Sequence, residues 1–157
     1  MLFFNKKKIS NTDVFSGYTD WHSHLLPGVD DGVKTIDTSL SILERYEELG
    51  VQRIWLTPHI MEDIPNTTES LRQRFDELKS KYTGNIQLSL AAENMLDNIF
   101  EERLGQNDLL PIGDNGDQLL VETSYYNAPV NFWDILERIQ HKGYYVLLAH
   151  PERYRYM

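Results

Sequence analysis

The chain contains no cysteine in its 157 residues. That absence excludes disulfides, thiolate metal ligation and a cysteine nucleophile together, so any metal must be held by nitrogen and oxygen. It also lacks a run of about 18 apolar residues, which excludes a predicted membrane-spanning helix. The opening MLFFNKKKIS sets its lysines behind a very short apolar patch, the reverse of a secretory signal, and the expected location is cytoplasmic, without membrane insertion. Positive charge is scarce, with 15 Lys and Arg against 24 Asp and Glu for a net charge of -9. Such a balance disfavours a nucleic-acid backbone or an anionic membrane as the main partner. No low-complexity linker interrupts the chain, and 41% hydrophobic with 25% charged residues is the profile of one globular domain over 1–157, with 1–17 as an extra N-terminal segment.

What is present is an alternation of strand and helix patterns. Tyr18 to His22 reads as a short strand, and Thr35 to Leu49 carries Ile36, Leu40 and Leu43 at helical spacing before Gly50. Val51 to Thr57 reads as a second strand, and Asn66 with Glu69 resembles a capping box opening a helix through Lys81. Strands at Ile86 to Ala91, Gln118 to Thr123 and Tyr145 to Ala149 follow, separated by a short helix around Ile99 to Leu104 and another over Val130 to His141. Five strands alternating with helices imply parallel pairing with right-handed crossovers, hence an α/β layered sheet or barrel.

Each strand ends near a candidate metal ligand. His22 and His24 close the first, His59 follows the second, Glu93 follows the third, Glu122 lies in the fourth and His150 follows the fifth. The carboxyl ends of parallel strands share one face, so these residues are expected to converge despite their separation in sequence. Alternation along a strand puts His22 and His24 on one side and Ser23 on the other. In the following LPGVDDG, Pro27 fixes a backbone angle while Gly28 and Gly32 permit turns, so Asp30 or Asp31 can fold back toward the histidines. Imidazoles with carboxylates suit zinc, manganese or iron, and a shared carboxylate can hold two ions. Glu122 stands in the apolar LLVET, where an unpaired carboxylate is costly. The run YYNAP, with Phe132 and Trp133, can line a pocket for the aromatic ring of a substrate, although aromatics around a helix start are expected in the core. His141 reads as an exposed helix-end residue without a role.

The segments DWHSHLLPGVDDG (Asp20 to Gly32), TPH (Thr57 to His59), AAEN (Ala91 to Asn94), LLVET (Leu119 to Thr123) and AHPERY (Ala149 to Tyr154) resemble, in that order, the PHP (polymerase and histidinol phosphatase) superfamily. Within it, LPGVDDG and HPERY resemble the bacterial capsule-type tyrosine phosphatases. The resemblance implies a distorted (β/α) TIM-like barrel holding two or three manganese ions, or zinc, iron or magnesium in their place. It implies hydrolysis of phosphotyrosine in a protein partner, the tail of a kinase that controls capsule or exopolysaccharide export. Carried onto this chain, the family pattern gives His22 and His24 to one ion, Glu122 as bridge to a second ion completed by Glu93 and His150, and Asp31 and His59 to a third. Arg153 is the expected phosphate-binding residue, its planar fork suiting two phosphoryl oxygens. Asp31 is the expected source of what proton help a phenolate leaving group requires. The expected chemistry is direct attack of water on phosphorus, without a covalent enzyme intermediate.

The family pattern continues past HPERY to an Asp-x-His pair carrying further ligands, whereas this sequence stops at Met157. A TIM-like barrel takes about 200 residues or more, so the expectation is an incomplete barrel of about five βα units, the N-terminal portion of a longer enzyme. Its open parallel edge favours association with another copy or with the missing piece. Two other readings stand beside the first. One is a PHP phosphoesterase acting on a small phosphate such as histidinol phosphate, and the other is a silent fragment that binds a partner without turnover.

Overall fold

The computed structural model describes residues 13–157. Of the segment set apart at 1–17, residues 1–12 lie outside the described residues. Residues 13–17 form a turn that packs Phe15 against the core and donates from the Gly17 amide to the Gly50 carbonyl at 2.9 Å.

The alternation of strand and helix is present throughout. In order, the elements are β1 (Thr19–Ser23), α1 (Ile36–Glu48), β2 (Arg53–Leu56), β3 (His59–Ile60), α2 (Thr68–Lys81), β4 (Gln87–Leu90), β5 (Glu93–Met95), α3 (Asn98–Gln106), β6 (Gln118–Glu122), α4 (Phe132–His141) and β7 (Tyr145–Leu148). A 3-10 turn, Pro151–Arg153, follows the last strand. All strand pairs are parallel, in a three-stranded sheet of order β1-β2-β4 and a four-stranded sheet of order β3-β5-β6-β7. Among the described residues these two sheets form a mixed α/β fold, and no closed barrel is present.

Seven strands replace the five expected because a further short strand follows just past the end of two of them, after a break in the ladder. Pro58 has no amide proton to donate, so pairing with β1 ends with the Thr57 amide on the Ser23 carbonyl and resumes at His59 in the other sheet. The second break falls at Ala91–Ala92, where the Ala92 amide donates to Leu110 at 3.2 Å instead of to a neighbouring strand. Both breaks carry the chain from one sheet to the other, and His59 and Glu93 consequently sit side by side in register on β3 and β5.

Period-two alternation separates the faces of each sheet. Ile54 and Leu56 of β2 pack with Leu43 of α1 and Leu71 and Leu78 of α2, all essentially fully buried. Leu119 and Val121 of β6 pack with Ile135 and Ile139 of α4 and Phe100 and Leu104 of α3. On the opposite face Trp55, Ala91, Ile112, Leu120 and Ala149 make a third cluster that joins strands of both sheets.

The capping box of α2 is one residue later than expected. Thr67 is the N-cap: its hydroxyl accepts from the Ser70 amide at 3.1 Å, and the Ser70 hydroxyl accepts from the Thr67 amide at 3.2 Å. Asn66 has another task, donating its side-chain amide to the carbonyls of both Val29 and His59 at 2.9 Å. It thereby ties the loop after β1 to β3. The core placement expected for these aromatics holds only for Phe132: Tyr125 and Tyr126 are exposed, and Trp133 is 74% exposed. At the first turn of α4 the two consecutive residues point in different directions, and the buried stripe begins with Phe132 and Ile135.

Candidate metal centre

The strands deliver their ligands to one place. Ser23 turns inward and donates its hydroxyl to the Trp55 carbonyl at 2.9 Å, which leaves His22 and His24 on the other side of β1 with ring centroids 5.3 Å apart. The loop after them closes tightly. The Gly28 amide donates to Val33 and the Val33 amide to His24, while a Cβ at Gly32 would collide with the backbone oxygen and Cβ of His24. Gly28 sits at φ +72°, a conformation glycine adopts without penalty.

Glu93 is the hub. Its side chain is fully buried, and its Oε2 lies 3.0 Å from His22 Nε2, 3.2 Å from His24 Nε2 and 3.3 Å from His59 Nδ1. Its Oε1 lies 2.8 Å from His150 Nε2. Glu122, also buried, lies 2.9 Å from His59 Nδ1 and 3.6 Å from His150 Nε2. Asp31 stands at the rim with a side chain 77% exposed, 3.6 Å from His59 Nε2. Of the residues singled out in the sequence, all six histidines and glutamates and Asp31 therefore converge. The shared position, touching four histidines, belongs to Glu93, where the family pattern sets Glu122.

The other aspartate of the pair has a distinct place. Asp30 Oδ2 lies 2.8 Å from His24 Nδ1 and accepts the His59 amide at 3.1 Å, while Oδ1 accepts the Gly32 amide at 2.9 Å. A carboxylate on the far nitrogen of a ligand imidazole fixes its tautomer and orientation. Two adjacent aspartates of identical chemistry carry no sequence signal that separates these tasks, because the curvature of the loop decides which one turns inward. His150 is held at φ +30°, in the left-handed region, where a non-glycine residue stores about 1–3 kcal/mol of strain. Arg153, one turn on, lines the same cavity of about 470 Å3 with Tyr125, whose hydroxyl accepts from its Nη1 at 3.2 Å. His141 is exposed at the end of α4, away from the cluster.

Electrostatics bind the set together. Burial works against the charged form of His24, yet hydrogen bonds to Asp30 and Glu93 outweigh it and push the imidazole up to about 10. Burial opposes a charged His59 as well, and Glu122 and Glu93 hold it above its ordinary value. Glu93 shows the converse: burial alone would raise it, but His22 and His24 hold it well below the usual carboxylate range. Three groups can each hold a cation, namely His22, His24 and Glu93; His24, Asp31 and His59; and His59, Glu93 and Glu122, with the ligand atoms of each group within 4.8 Å of one another. The buried Nδ1 atoms of His59 and His150 have no hydrogen-bond partner among the described residues. Glu122 is close to the first of these but off the direction in which a ring N–H would point. At His59 an unpartnered ring nitrogen beside two buried carboxylates, in an all-nitrogen and oxygen set, fits a divalent cation; His150 meets those carboxylates through Nε2 and lies in none of the three groups.

Residues 18–157 match the family described as Capsular polysaccharide synthesis, CpsB/CapC. The chain belongs to that family. Among CpsB/CapC relatives it is similar to the tyrosine-protein phosphatase YwqE of Bacillus subtilis, 26% identical over 87% of this chain and 55% of the relative. It is also similar to the tyrosine-protein phosphatase CpsB of Streptococcus agalactiae, 29% identical over 86% of this chain and 57% of the relative. A crystal structure from the pair YwqE of Bacillus subtilis and CpsB of Streptococcus pneumoniae, described as unique metal-dependent tyrosine phosphatases, superposes with a TM-score of 0.78 at 27% identity. It covers 88% of this chain and 57% of that one. The chain spans about half the length of the curated relatives it matches. The resemblance to capsule-type tyrosine phosphatases seen in the sequence is thus borne out. No helix among the described residues is long and apolar enough to cross a membrane.

Proposed function

We propose that this CpsB/CapC chain carries the metal centre of a metal-dependent protein-tyrosine phosphatase acting on the phosphorylated tail of a capsule or exopolysaccharide kinase in the cytoplasm. The observation that carries the proposal is Glu93, buried and facing four histidines, with no lysine or arginine paired to it among the described residues. In this reading residues 1–157 form one PHP domain, part of a TIM-like barrel, and manganese is the ion bound. His22, His24, Asp31, His59, Glu93, Glu122 and His150 are its ligands, and the geometry supports Glu93 as the carboxylate shared between ions. Asp30 orients His24. Bound divalent ions supply Lewis acidity and lower the pKa of water, which is the chemistry a phosphate monoester requires for direct hydrolysis.

The chain's own residues do the rest. Arg153, exposed at the cavity mouth and steadied by the Tyr125 hydroxyl, offers a planar fork to two phosphoryl oxygens. Asp31, open to solvent beside His59, is placed to relay the proton released by the attacking water to the departing phenolate, a modest demand because phenol ionises near pH 10. Nothing nucleophilic on the protein is needed.

Hydrolysis of a phosphotyrosine peptide by the chain with added manganese, beside Glu122→Ala, tests the proposal. The expected result is metal-dependent release of phosphate that the substitution abolishes. Faster cleavage of histidinol phosphate or other alkyl phosphates would overturn the tyrosine phosphatase assignment, and bound metal without turnover would leave a binding module in its place.

A further inference from the structure

We propose that the cavity lined by Met61, Ile64, Met95, Tyr125 and Tyr126 receives the aryl ring of an aryl phosphate ester whose phosphoryl group sits at the metal centre, and so sets a preference for aryl over alkyl phosphates. The inference rests on the phosphatase reading above and names the part of the molecule that would give it selectivity.

Two cavities of similar size meet at the cluster. The first, of about 470 Å3, is walled by the histidines, Glu93 and Arg153; in the second, of about 500 Å3, Met61, Ile64, Met95 and the two tyrosines supply most of the exposed wall, with Asp63, Glu122, Thr123 and Ser124 beside them. Asp31, His59 and Tyr125 line both. In an aryl phosphate only the ester oxygen separates phosphorus from the ring. A phosphoryl group held among the histidines and Arg153 therefore keeps the ring beside the cluster, and the second cavity is a space continuous with the cluster that offers it apolar surface. Its size is in the range of roughly 300–1,000 Å3 usual for small-ligand sites.

The apolar wall is built in advance. Met61 and Ile64 exchange backbone hydrogen bonds, Met61 amide to Ile64 carbonyl at 3.2 Å and the reverse at 3.0 Å, which closes the MEDI turn. The Glu62 amide donates to Asp97 Oδ2 at 2.8 Å, and the Asn98 side chain donates to Glu62 Oε1 at 2.7 Å, so the turn is pinned to the start of α3. Met95 lies on β5, two residues from Glu93 and in register with Glu122. Thioethers from two sides against a ring make a favourable, adaptable contact. On the open side stand Tyr125 and Tyr126, 40% and 62% exposed, with the Arg155 guanidinium 4.8 Å from the Tyr126 ring. A face-on ring held by a cation is an aromatic platform, and its exposed apolar area answers no packing need in the core. Tyr125 stands on the border, its hydroxyl on Arg153 and its ring 5.8 Å from that of His150.

The test compares phenylphosphonate with methylphosphonate, two uncleavable anions that differ by the ring. Their affinities for the zinc-loaded chain are measured by calorimetry, and the 13C-labelled methionine methyls are followed by NMR, with Met157 outside the cavity as control. Phenylphosphonate is expected to bind roughly tenfold tighter, the discrimination one apolar group in a shaped pocket provides. It is expected to shift Met61 and Met95, but not Met157. Ile64→Ser should bring the two affinities together by weakening phenylphosphonate alone. Equal affinities in the unaltered chain, or phenylphosphonate binding that leaves Met61 and Met95 unmoved, would overturn the proposal. If neither phosphonate binds, the phosphatase reading fails and the neutral probe p-cresol decides the cavity by itself. Saturable shifts at Met61 and Met95 then uphold a ring site, and unmoved methyls remove it.

Discussion

The floor and the rim of the metal centre are built in opposite ways. On the floor, Glu93 and Glu122 are buried on adjacent parallel strands, with side-chain exposures of 0% and 3%. At the rim, Asp31, Tyr125 and Arg153 sit on loops and a short 3-10 turn, open to solvent. Burying two carboxylates side by side is heavily unfavourable unless cations or hydrogen-bond donors meet them, and the four histidines carried by β1, β3 and the end of β7 do so here. The rim has no such requirement, so its side chains are free to meet a ligand. On the proposed function the floor holds the ions, with Asp31 completing a group from the rim, and Tyr125 and Arg153 meet the substrate.

Substitution on the floor should therefore be the most damaging. Glu93→Gln keeps the size of the side chain but removes the charge shared by four imidazoles, and metal content together with phosphotyrosine hydrolysis should fall below detection; retention of metal would break the contrast at its root. Asp30→Asn comes next. It leaves every ligand in place while loosening His24, and should weaken metal affinity by about 10- to 100-fold in a titration with manganese. At the rim, Arg153→Lys keeps the charge but loses the fork, so KM for a phosphotyrosine peptide should rise by about tenfold with metal affinity unchanged. An equal loss of metal would place Arg153 on the floor.

A pH series sharpens the same comparison. In the metal-free chain His24 keeps its proton to about 10 instead of 6.5. Its interaction with Asp30 and Glu93 thus stabilises that form fully below about pH 6.5, and the contribution disappears as pH rises through 10. Metal competes with that proton, so manganese affinity should climb across the interval while the thermal stability of the metal-free chain declines. The smallest effect belongs far from the centre, where Thr67→Ala removes the α2 cap and should cost about 1 kcal/mol in denaturant unfolding, with metal affinity untouched.

Much of this architecture is legible in the amino-acid sequence. Alternating strand and helix patterns place four helices and the parallel pairing, and ligand-type residues at strand ends predict convergence because parallel strands share a carboxyl face. Glu122 is conspicuous as a carboxylate in LLVET. The pair of crossings between sheets is not legible in the same way. Pro58 advertises the first, but Ala91–Ala92 has no breaker residue, and only the hydrogen bond from Ala92 to Leu110 ends that strand. Those crossings set His59 beside Glu93, which is why Glu93 and not Glu122 occupies the middle of the cluster. The choice between Asp30 and Asp31, and the outward turn of Trp133 beside the inward Phe132, likewise depend on backbone direction at single residues.

Manganese content per chain after equilibration with the ion, compared between the unaltered protein and Glu93→Gln by elemental analysis, tests the central claim most directly. Bound manganese in the first and none in the second is the predicted result. No manganese in the unaltered chain, or equal amounts in both, would contradict a metal centre organised around Glu93.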